Sequence, residues 1–133
     1  MRTDTTPATR LEVRGHGGLL AGAEFSLEPG ETLVIGRSRS CDLSLRKTSE
    51  FKKREDAVTL LDSHQFNRVS RIHCEIEYRT DGQVQIRDLS QNGTLVDGRR
   101  IDRVRVLDAA PPLRVTIELV DSTWGSLVLS VAE

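Results

Sequence analysis

The stretch NRVSRIHCEIEY, residues 67–78, places a serine, two arginines and a histidine directly before an alternating apolar and polar run. Ser70 and His73 are residue types that can act as nucleophile and general base. The Ser70 hydroxyl and the Arg71 guanidinium are also donors of the kind that a phosphate group requires. Two kinds of chemistry are therefore open at this point, nucleophilic catalysis and anion binding.

Catalysis by Ser70 and His73 requires the two side chains to share a proton. If residues 70–73 are extended, the two side chains point to opposite faces of a strand and lie about 10 Å apart along the chain. The sequence has no paired carboxylates near this stretch, no Gly-rich phosphate loop and no strand-elbow serine motif. We therefore predict that the protein is not an enzyme.

The candidate metal ligands are His16, His64, His73, Cys41 and Cys74. They show no spacing typical of a metal site, and His73 and Cys74 are neighbours that point to opposite faces of a strand. We predict no metal site and no cofactor. Two cysteines without C-x-x-C spacing are typical of buried free thiols in a reducing compartment, rather than of a disulfide.

The composition limits the classes of partner. The 19 basic and 20 acidic residues leave a net charge of -1, so the chain lacks the broad positive field that gathers nucleic acid. Aromatic residues make up 4% of the sequence, which disfavours an RNA-stacking surface. No apolar run approaches the roughly 18 residues of a membrane span. We predict a soluble, cytoplasmic protein that binds neither nucleic acid nor a membrane.

Alternating apolar and polar residues recur along the chain and predict short strands, whereas helical periodicity is nearly absent. The predicted strands are residues 11–13, 23–27, 32–36, 42–45, 72–78, 83–89, 94–98, 102–107, 112–120 and 126–131. The pairs Asp81-Gly82, Asn92-Gly93 and Asp97-Gly98 favour tight hairpin turns. The sequence therefore predicts an all-β, antiparallel sandwich of about ten to eleven strands, spanning residues 11–133 after a flexible N-terminal segment at 1–10.

A long segment at residues 46–68 interrupts this rhythm, since hairpin loops usually have two to five residues. Phe51, Val58 and Leu61 fall at helical spacing and indicate a short amphipathic helix within it. Loops of this length are either functional or disordered, and the sequence leaves both open. We expect Trp124, in the last predicted turn, to pack on the end of the sandwich.

Three separated motifs occur in order: IGRSRSCDLSL at 35–45, VSRIHCEIE at 69–77 and DLSQNGTLVDGRRI at 88–101. Together they resemble the forkhead-associated (FHA) domain, a phosphothreonine-binding β-sandwich of the FHA/SMAD-like type. The family pattern is Gly-Arg, then Ser-x-x-His, then Asn-Gly-Thr followed by Asn-Gly. In this chain Asp97-Gly98 stands in place of the last pair. The resemblance covers about residues 11–119.

The resemblance implies a phosphopeptide site in the loops at one end of the sandwich. By this match Arg37 and Arg71 supply guanidinium groups, Ser70 donates its hydroxyl to the phosphate, and Asn92 holds the peptide main chain. The further candidate contacts are Ser38, Gln91 and Arg99. The residues expected to shape the loops are Gly36, His73, Gly93, Thr94 and Gly98. A phosphothreonine carries about -1.5 to -2 charges at pH 7, which two arginines can match.

The sequence thus predicts a phosphothreonine-dependent protein–protein interaction module in signal transduction, reading substrates of Ser/Thr kinases. Its partner would be a phosphothreonine-containing protein, a kinase or a kinase substrate. The alternative is docking or self-association on the same fold without phosphorylation, because a fold does not determine function.

Two further features could modify this reader. The segment 46–68 could add peptide contacts through Lys52, Lys53 and Arg54, cover the site as a lid, or extend into solvent without a role in binding. The N-terminal threonines, Thr3, Thr5, Thr6 and Thr9, could be phosphorylated and occupy the site, or belong to an ordinary disordered start.

Overall fold

The computed structural model describes residues 10–54, 56, 59, 60 and 63–131. Within these residues the chain forms eleven strands in two sheets. The first sheet contains β1 (Leu11–His16), β2 (Glu24–Leu27), β7 (Thr94–Val96), β8 (Arg99–Arg100), β10 (Leu113–Leu119) and β11 (Ser126–Val131), in the order β2-β1-β11-β10-β7-β8. The second contains β3 (Thr32–Gly36), β4 (Leu43–Ser44), β5 (Cys74–Tyr78), β6 (Gln83–Asp88) and β9 (Val104–Asp108), in the order β4-β3-β5-β6-β9. The prediction of an all-β sandwich of ten to eleven strands is confirmed.

The alternating sequence builds the core, because successive side chains of a strand point to opposite faces. In β5 the residues Cys74, Ile76 and Tyr78 are buried, and Ile76 pairs across the ladder with the buried Ile86 of β6. Leu127 of β11 is buried on the inner side of the other sheet. Burying one such aliphatic side chain contributes about 1.5–3 kcal/mol, so the apolar interior shared by the sheets stabilises the sandwich.

Two details differ from the sequence prediction. The strand expected at 72–78 begins at Cys74, because residues 70–73 form a turn, and Ile72 is exposed instead of continuing the apolar face. The assumption that residues 70–73 are extended is therefore wrong. The pairing is antiparallel except between β3 and the two-residue β4, which run parallel with Ile35 opposite Leu43.

Three connections that carry the candidate site residues lie at one end of the second sheet. Strand β5 runs antiparallel to both β3 and β6, with Cys74 opposite Ile35 and Asp88. The end of β3, the start of β5 and the end of β6 therefore lie side by side. This places the β3–β4 loop, the turn before β5 and the β6–β7 loop next to one another.

The described part of the 46–68 segment packs on this same end of the sandwich. It contains a short helix, α1 (Ser49–Lys53), whose N-cap Thr48 accepts a hydrogen bond from the Phe51 amide, and a 3₁₀ turn at Phe66–Arg68. The Phe66 ring lies 5.8 Å from Phe51 and 5.7 Å, edge to face, from Trp124. These aromatic contacts anchor the segment, and they confirm that Trp124 packs at the sandwich end.

Several sequence expectations fall on residues that the structure does not describe. The N-terminal threonines and all of the predicted flexible segment except Arg10 lie outside the described residues, as do Val58 and Leu61 of the predicted amphipathic helix. No helix in the described part of the chain is long and apolar enough to cross a membrane.

Candidate functional site

Backbone hydrogen bonds join the β3–β4 loop to the turn before β5. The Arg37 amide donates to the Ser70 carbonyl and the Ser38 amide to the Arg71 carbonyl, each at 3.0 Å. These bonds lie just beyond the β3–β5 ladder. As a result the Arg37 and Ser70 side chains start from neighbouring points on the backbone.

Gly36 permits this close approach. A Cβ atom at position 36 would lie 2.2 Å from the carbonyl oxygen of Arg71 and 2.9 Å from the amide nitrogen of His73. Both obstacles are backbone atoms, which cannot rotate away as a side chain can. The glycine is therefore required sterically at the point where β3 meets the turn.

Arg37 is half-buried and its guanidinium is oriented by one hydrogen bond. Its Nε donates to the Val69 carbonyl at 2.8 Å. Burial, and then the positive charges of Arg71 and Arg46, lower the pKa of Arg37 from its ordinary value. Among the described residues, no carboxylate forms an ion pair with Arg37, Arg46 or Arg71. The loops therefore carry a local concentration of positive charge.

Ser70 is hydrogen-bonded through both its backbone and its side chain. Its Oγ accepts from the Gln91 amide at 3.2 Å, which leaves the hydroxyl proton free to donate to a ligand. Its backbone amide donates to Nδ1 of His73 at 3.0 Å. Because that amide occupies Nδ1, the nitrogen cannot accept the hydroxyl proton as a general base.

His73 connects the turn before β5 to the β6–β7 loop. Its side chain is fully buried, and Nε2 lies 2.7 Å from the Gly93 carbonyl. Since Nδ1 accepts from Ser70, Nε2 carries the proton and donates to Gly93. Burial lowers the pKa of His73, which favours this neutral form. The ring thus holds two loops at a fixed separation.

The β6–β7 loop has an internal polar network. Asp88 Oδ1 accepts from the hydroxyl of Ser90 at 2.5 Å and from the hydroxyl of the buried Thr94 at 2.9 Å. The Gly93 amide donates to Ser90 Oγ at 2.8 Å. Sequence reasoning missed Asp88 and Ser90, although an Asp two residues before a Ser is a signal of an Asx turn.

Asn92 lies at the junction of this loop with the 46–68 segment. Its Nδ2 donates to the Arg68 carbonyl at 2.8 Å, and no hydrogen bond to its Oδ1 is formed by the residues that the structure describes. Next to it, Gly93 has a φ of 105° and lies over Arg100, whose Nε would be 2.8 Å from an added Cβ. The side chain of Asn92 is exposed.

The three secondary candidates occupy different places. Ser38 Oγ pairs with Ser40 Oγ at 2.8 Å in the β3–β4 loop. Gln91 touches Ser70 through its amide. Arg99 is exposed beside the Asp97-Gly98 turn, where Asp97 and Gly98 have φ values of 50° and 83°. Because of that turn the strand predicted at 94–98 ends at Val96, and Arg100, rather than Arg99, lies beneath the β6–β7 loop.

The basic residues expected to extend the site from the 46–68 segment are mostly engaged elsewhere. Lys53 pairs with Glu50 at 3.4 Å, and Arg54 binds both carboxylate oxygens of Asp56 at 2.8 Å. Lys52 is exposed on α1. The segment contacts the loops through residues at its two ends instead. The positive charge of Arg46 helps to lower the pKa of Arg37, and the Arg68 carbonyl accepts a hydrogen bond from Asn92.

The chain resembles several solved structures over nearly its whole length. The FHA domain of CT664 from Chlamydia trachomatis has a TM-score of 0.60 and 24% identity, covering 94% of this chain and 98% of that one. A protein solved in a structural and functional analysis of phosphothreonine-dependent FHA domain interactions has a TM-score of 0.61 and 20% identity, covering 94% and 99%. EmbR of Mycobacterium tuberculosis, solved in complex with a low-affinity phosphopeptide, has a TM-score of 0.59 and 22% identity, covering 93% and 25%.

Identities this low establish a common fold and not a common ligand. No curated protein matches the sequence. The family model described as the FHA domain matches residues 33–110, which is more than half of the chain. The chain belongs to the forkhead-associated (FHA) domain family.

Proposed function

We propose that the protein is a phosphothreonine-dependent interaction module that binds phosphorylated segments of a partner protein. Arg37 and Arg71 bind the phosphate through charge-assisted hydrogen bonds, and the Ser70 hydroxyl donates a hydrogen bond to a phosphate oxygen. Asn92 binds the main chain of the peptide beside the phosphothreonine. The module needs no cofactor and carries out no reaction.

The observation that carries this proposal is the pairing of Arg37 with Ser70 through their backbones. The 3.0 Å hydrogen bond from the Arg37 amide to the Ser70 carbonyl starts the two side chains from adjacent points of the backbone before any ligand arrives. A site held in this way loses little conformational entropy on binding, which favours affinity. The unpaired charges of Arg37 and Arg71 supply the attraction.

Asn92 is suited to its proposed role because its side chain is already oriented. The hydrogen bond from Nδ2 to the Arg68 carbonyl fixes the amide plane, which leaves Oδ1 as an acceptor for a peptide amide. The structure of EmbR, solved in complex with a low-affinity phosphopeptide, supports phosphopeptide binding as the proposed function. Preference for threonine over serine would come from burying one methyl group, worth about 1 kcal/mol.

We propose that the partner is a Ser/Thr kinase or one of its substrates, met in the cytoplasm. Both cysteines in the chain are free and buried, which fits a reducing compartment. A second candidate function, docking without phosphorylation, is favoured by one observation. Val104 and Val106 are 42% and 45% exposed on β9, an edge strand that could contact another protein.

The test is a titration of the folded protein with a degenerate phosphothreonine peptide library beside its phosphoserine and unphosphorylated counterparts. The buffer is held above the second pKa of the phosphate, about 6, at moderate salt. Binding confined to the phosphothreonine pool is the expected result. Equal binding of phosphorylated and unphosphorylated pools would support docking instead, and a failure of all three pools would overturn the phosphopeptide proposal.

A further inference from the structure

Arg46 is positioned at the site by the short parallel strand β4. Gly36 pairs with Ser44 in the β3–β4 ladder, and the Leu45 amide donates to the Gly36 carbonyl at 3.0 Å. Residues 45–47 then form a turn, in which the Lys47 amide donates to the Ser44 carbonyl at 3.0 Å. This turn directly after β4 keeps Arg46 close enough to Arg37 for its positive charge to act on that guanidinium.

The Arg46 side chain is held by its surroundings and lacks a partner for one donor. It is half-buried, and its Nε is buried without a hydrogen-bond partner among the described residues. Buried unsatisfied donors are uncommon in folded proteins and ask for an explanation. The backbone amide of Arg46 is bonded to Ser44 Oγ at 3.2 Å, so the start of the side chain is fixed as well.

The charges at the site do not balance with a phosphothreonine alone. Arg37, Arg46 and Arg71 bring three positive charges, close enough that the other two act on Arg37, and no described carboxylate pairs with any of them. A phosphothreonine brings about -1.5 to -2. At least one positive charge is then left facing the peptide.

Five other basic residues at this end of the sandwich are less suited to supply that contact. Arg68 lies 3.8 Å from Asp121, and Lys53 and Arg54 pair with carboxylates of their own segment. Arg39 and Lys47 are exposed and must lose side-chain freedom on binding. Arg46 is already partly ordered and unpaired.

We propose that Arg46 binds a second anionic group of the ligand, close to the phosphothreonine. The group is a carboxylate of Asp or Glu or a second phosphate, since a guanidinium fork matches both. This inference rests on the proposed function and deepens it, because it makes the first residue of the 46–68 segment a determinant of specificity.

The experiment compares three phosphothreonine peptides of one sequence: one with neutral flanks, one with a single Glu, and one with a single phosphoserine at the same place. The Glu and the phosphoserine are moved through the positions flanking the phosphothreonine. Each peptide is titrated into the wild type, Arg46→Gln, Arg46→Lys and the control Arg114→Gln. Arg114 is an exposed residue of β10 that pairs with Ser130, so its loss changes the net charge equally without touching the site.

We expect the wild type and Arg114→Gln to prefer the best acidic peptide over the neutral one by about fivefold or more. Arg46→Gln should lower this preference to below about twofold while it still binds the neutral peptide, and Arg46→Lys should keep part of it. The Glu and phosphoserine peptides report separately which anion is taken. Thermal unfolding of each variant shows that it is folded.

Two results would overturn the inference while leaving the proposed function intact. One is an acidic preference that Arg46→Gln retains in full. The other is an equal loss of affinity for neutral and acidic peptides, which would mean that Arg46 acts only on the phosphothreonine or on the loop. If the folded wild type binds none of the three peptides, the proposed function fails and this inference fails with it.

Discussion

The Nε2 atom of His73 lies 2.7 Å from the carbonyl oxygen of Gly93, while Nδ1 of the same ring accepts the amide of Ser70. One buried side chain thus links the serine proposed to bind phosphate with the loop that carries Asn92. The site depends on a residue that no ligand needs to touch.

Replacing His73 by Ala should weaken both the fold and the site. The Ser70 amide and the Gly93 carbonyl would lose their partner, at about 1–3 kcal/mol each, so we expect the free energy of unfolding to fall by roughly 2–6 kcal/mol. Urea denaturation measures this loss. The exposed His16 is the control, and His16→Ala should change stability by less than about 0.5 kcal/mol. Similar losses in both variants would contradict the linking role of His73.

The stability of the peptide-free protein should depend on the protonation of His73. Burial lowers its pKa in the folded state, while the unfolded value is about 6.5, so the unfolded chain binds the proton more tightly. The stabilisation is complete above about pH 6.5 and is lost as the pH falls from there through the lowered folded pKa. We expect denaturation midpoints to drop in this range for the wild type. His73→Gln should lack this part of the pH dependence, and an unchanged slope would refute the assignment.

Gly36→Ala should disturb the site more than a glycine substitution at the opposite end of the sandwich does. The new Cβ would meet the Arg71 carbonyl at 2.2 Å and force β3 away from the turn, at about 1–3 kcal/mol or more. Phosphopeptide affinity, measured by calorimetry, should fall at least about tenfold, since a displacement of this kind misplaces Arg37 relative to Ser70. Gly82→Ala is the comparison: it lies in the β5–β6 turn at the other end, with a φ of 85° and open space around it. That variant should lose some stability and no affinity.

Arg37→Ala should abolish tight binding with little effect on stability. Loss of a charge-assisted contact to phosphate costs about 2 kcal/mol or more, which is roughly a 30-fold weaker affinity. The side chain is partly buried and lies near the positive charges of Arg71 and Arg46, so its removal relieves repulsion in the free protein. Fluorescence polarisation with a labelled phosphothreonine peptide measures the loss. Full affinity in Arg37→Ala, with Arg114→Ala behaving as the wild type, would sink the proposed site.

Phe66→Ala should release the 46–68 segment from the sandwich. The ring is fully buried between Phe51 and Trp124, and removing such a ring costs about 3–5 kcal/mol. Because Arg68 follows in the same 3₁₀ turn and its carbonyl binds Asn92, peptide affinity should fall as well. Proteolysis within the segment, compared with the exposed-site variant His64→Ala, reports the release. Equal resistance of the two variants would show that the aromatic cluster does not anchor the segment.

Much of this protein follows from local sequence patterns. Alternation of period two predicted the strands, because the direction of a side chain along a strand is set by the backbone of that strand alone. The ordered motifs around Arg37, Ser70 and Asn92 indicated the family by their resemblance to it. They also indicated the candidate site, because these side chains keep their hydrogen-bonding capacity wherever the chain places them.

Other features depended on contacts between distant parts of the chain. The start of β5 at Cys74 follows from the His73 ring turning back to the Ser70 amide, and no alternation pattern encodes that turn. The unpaired charge near Arg37 belongs to Arg46, because β4 pairs with β3 and because carboxylates pair with Lys53 and Arg54. The sequence by itself determined the strands and the donor groups, whereas the tertiary structure decided which donors meet, because loop separations are set by sheet pairing and packing.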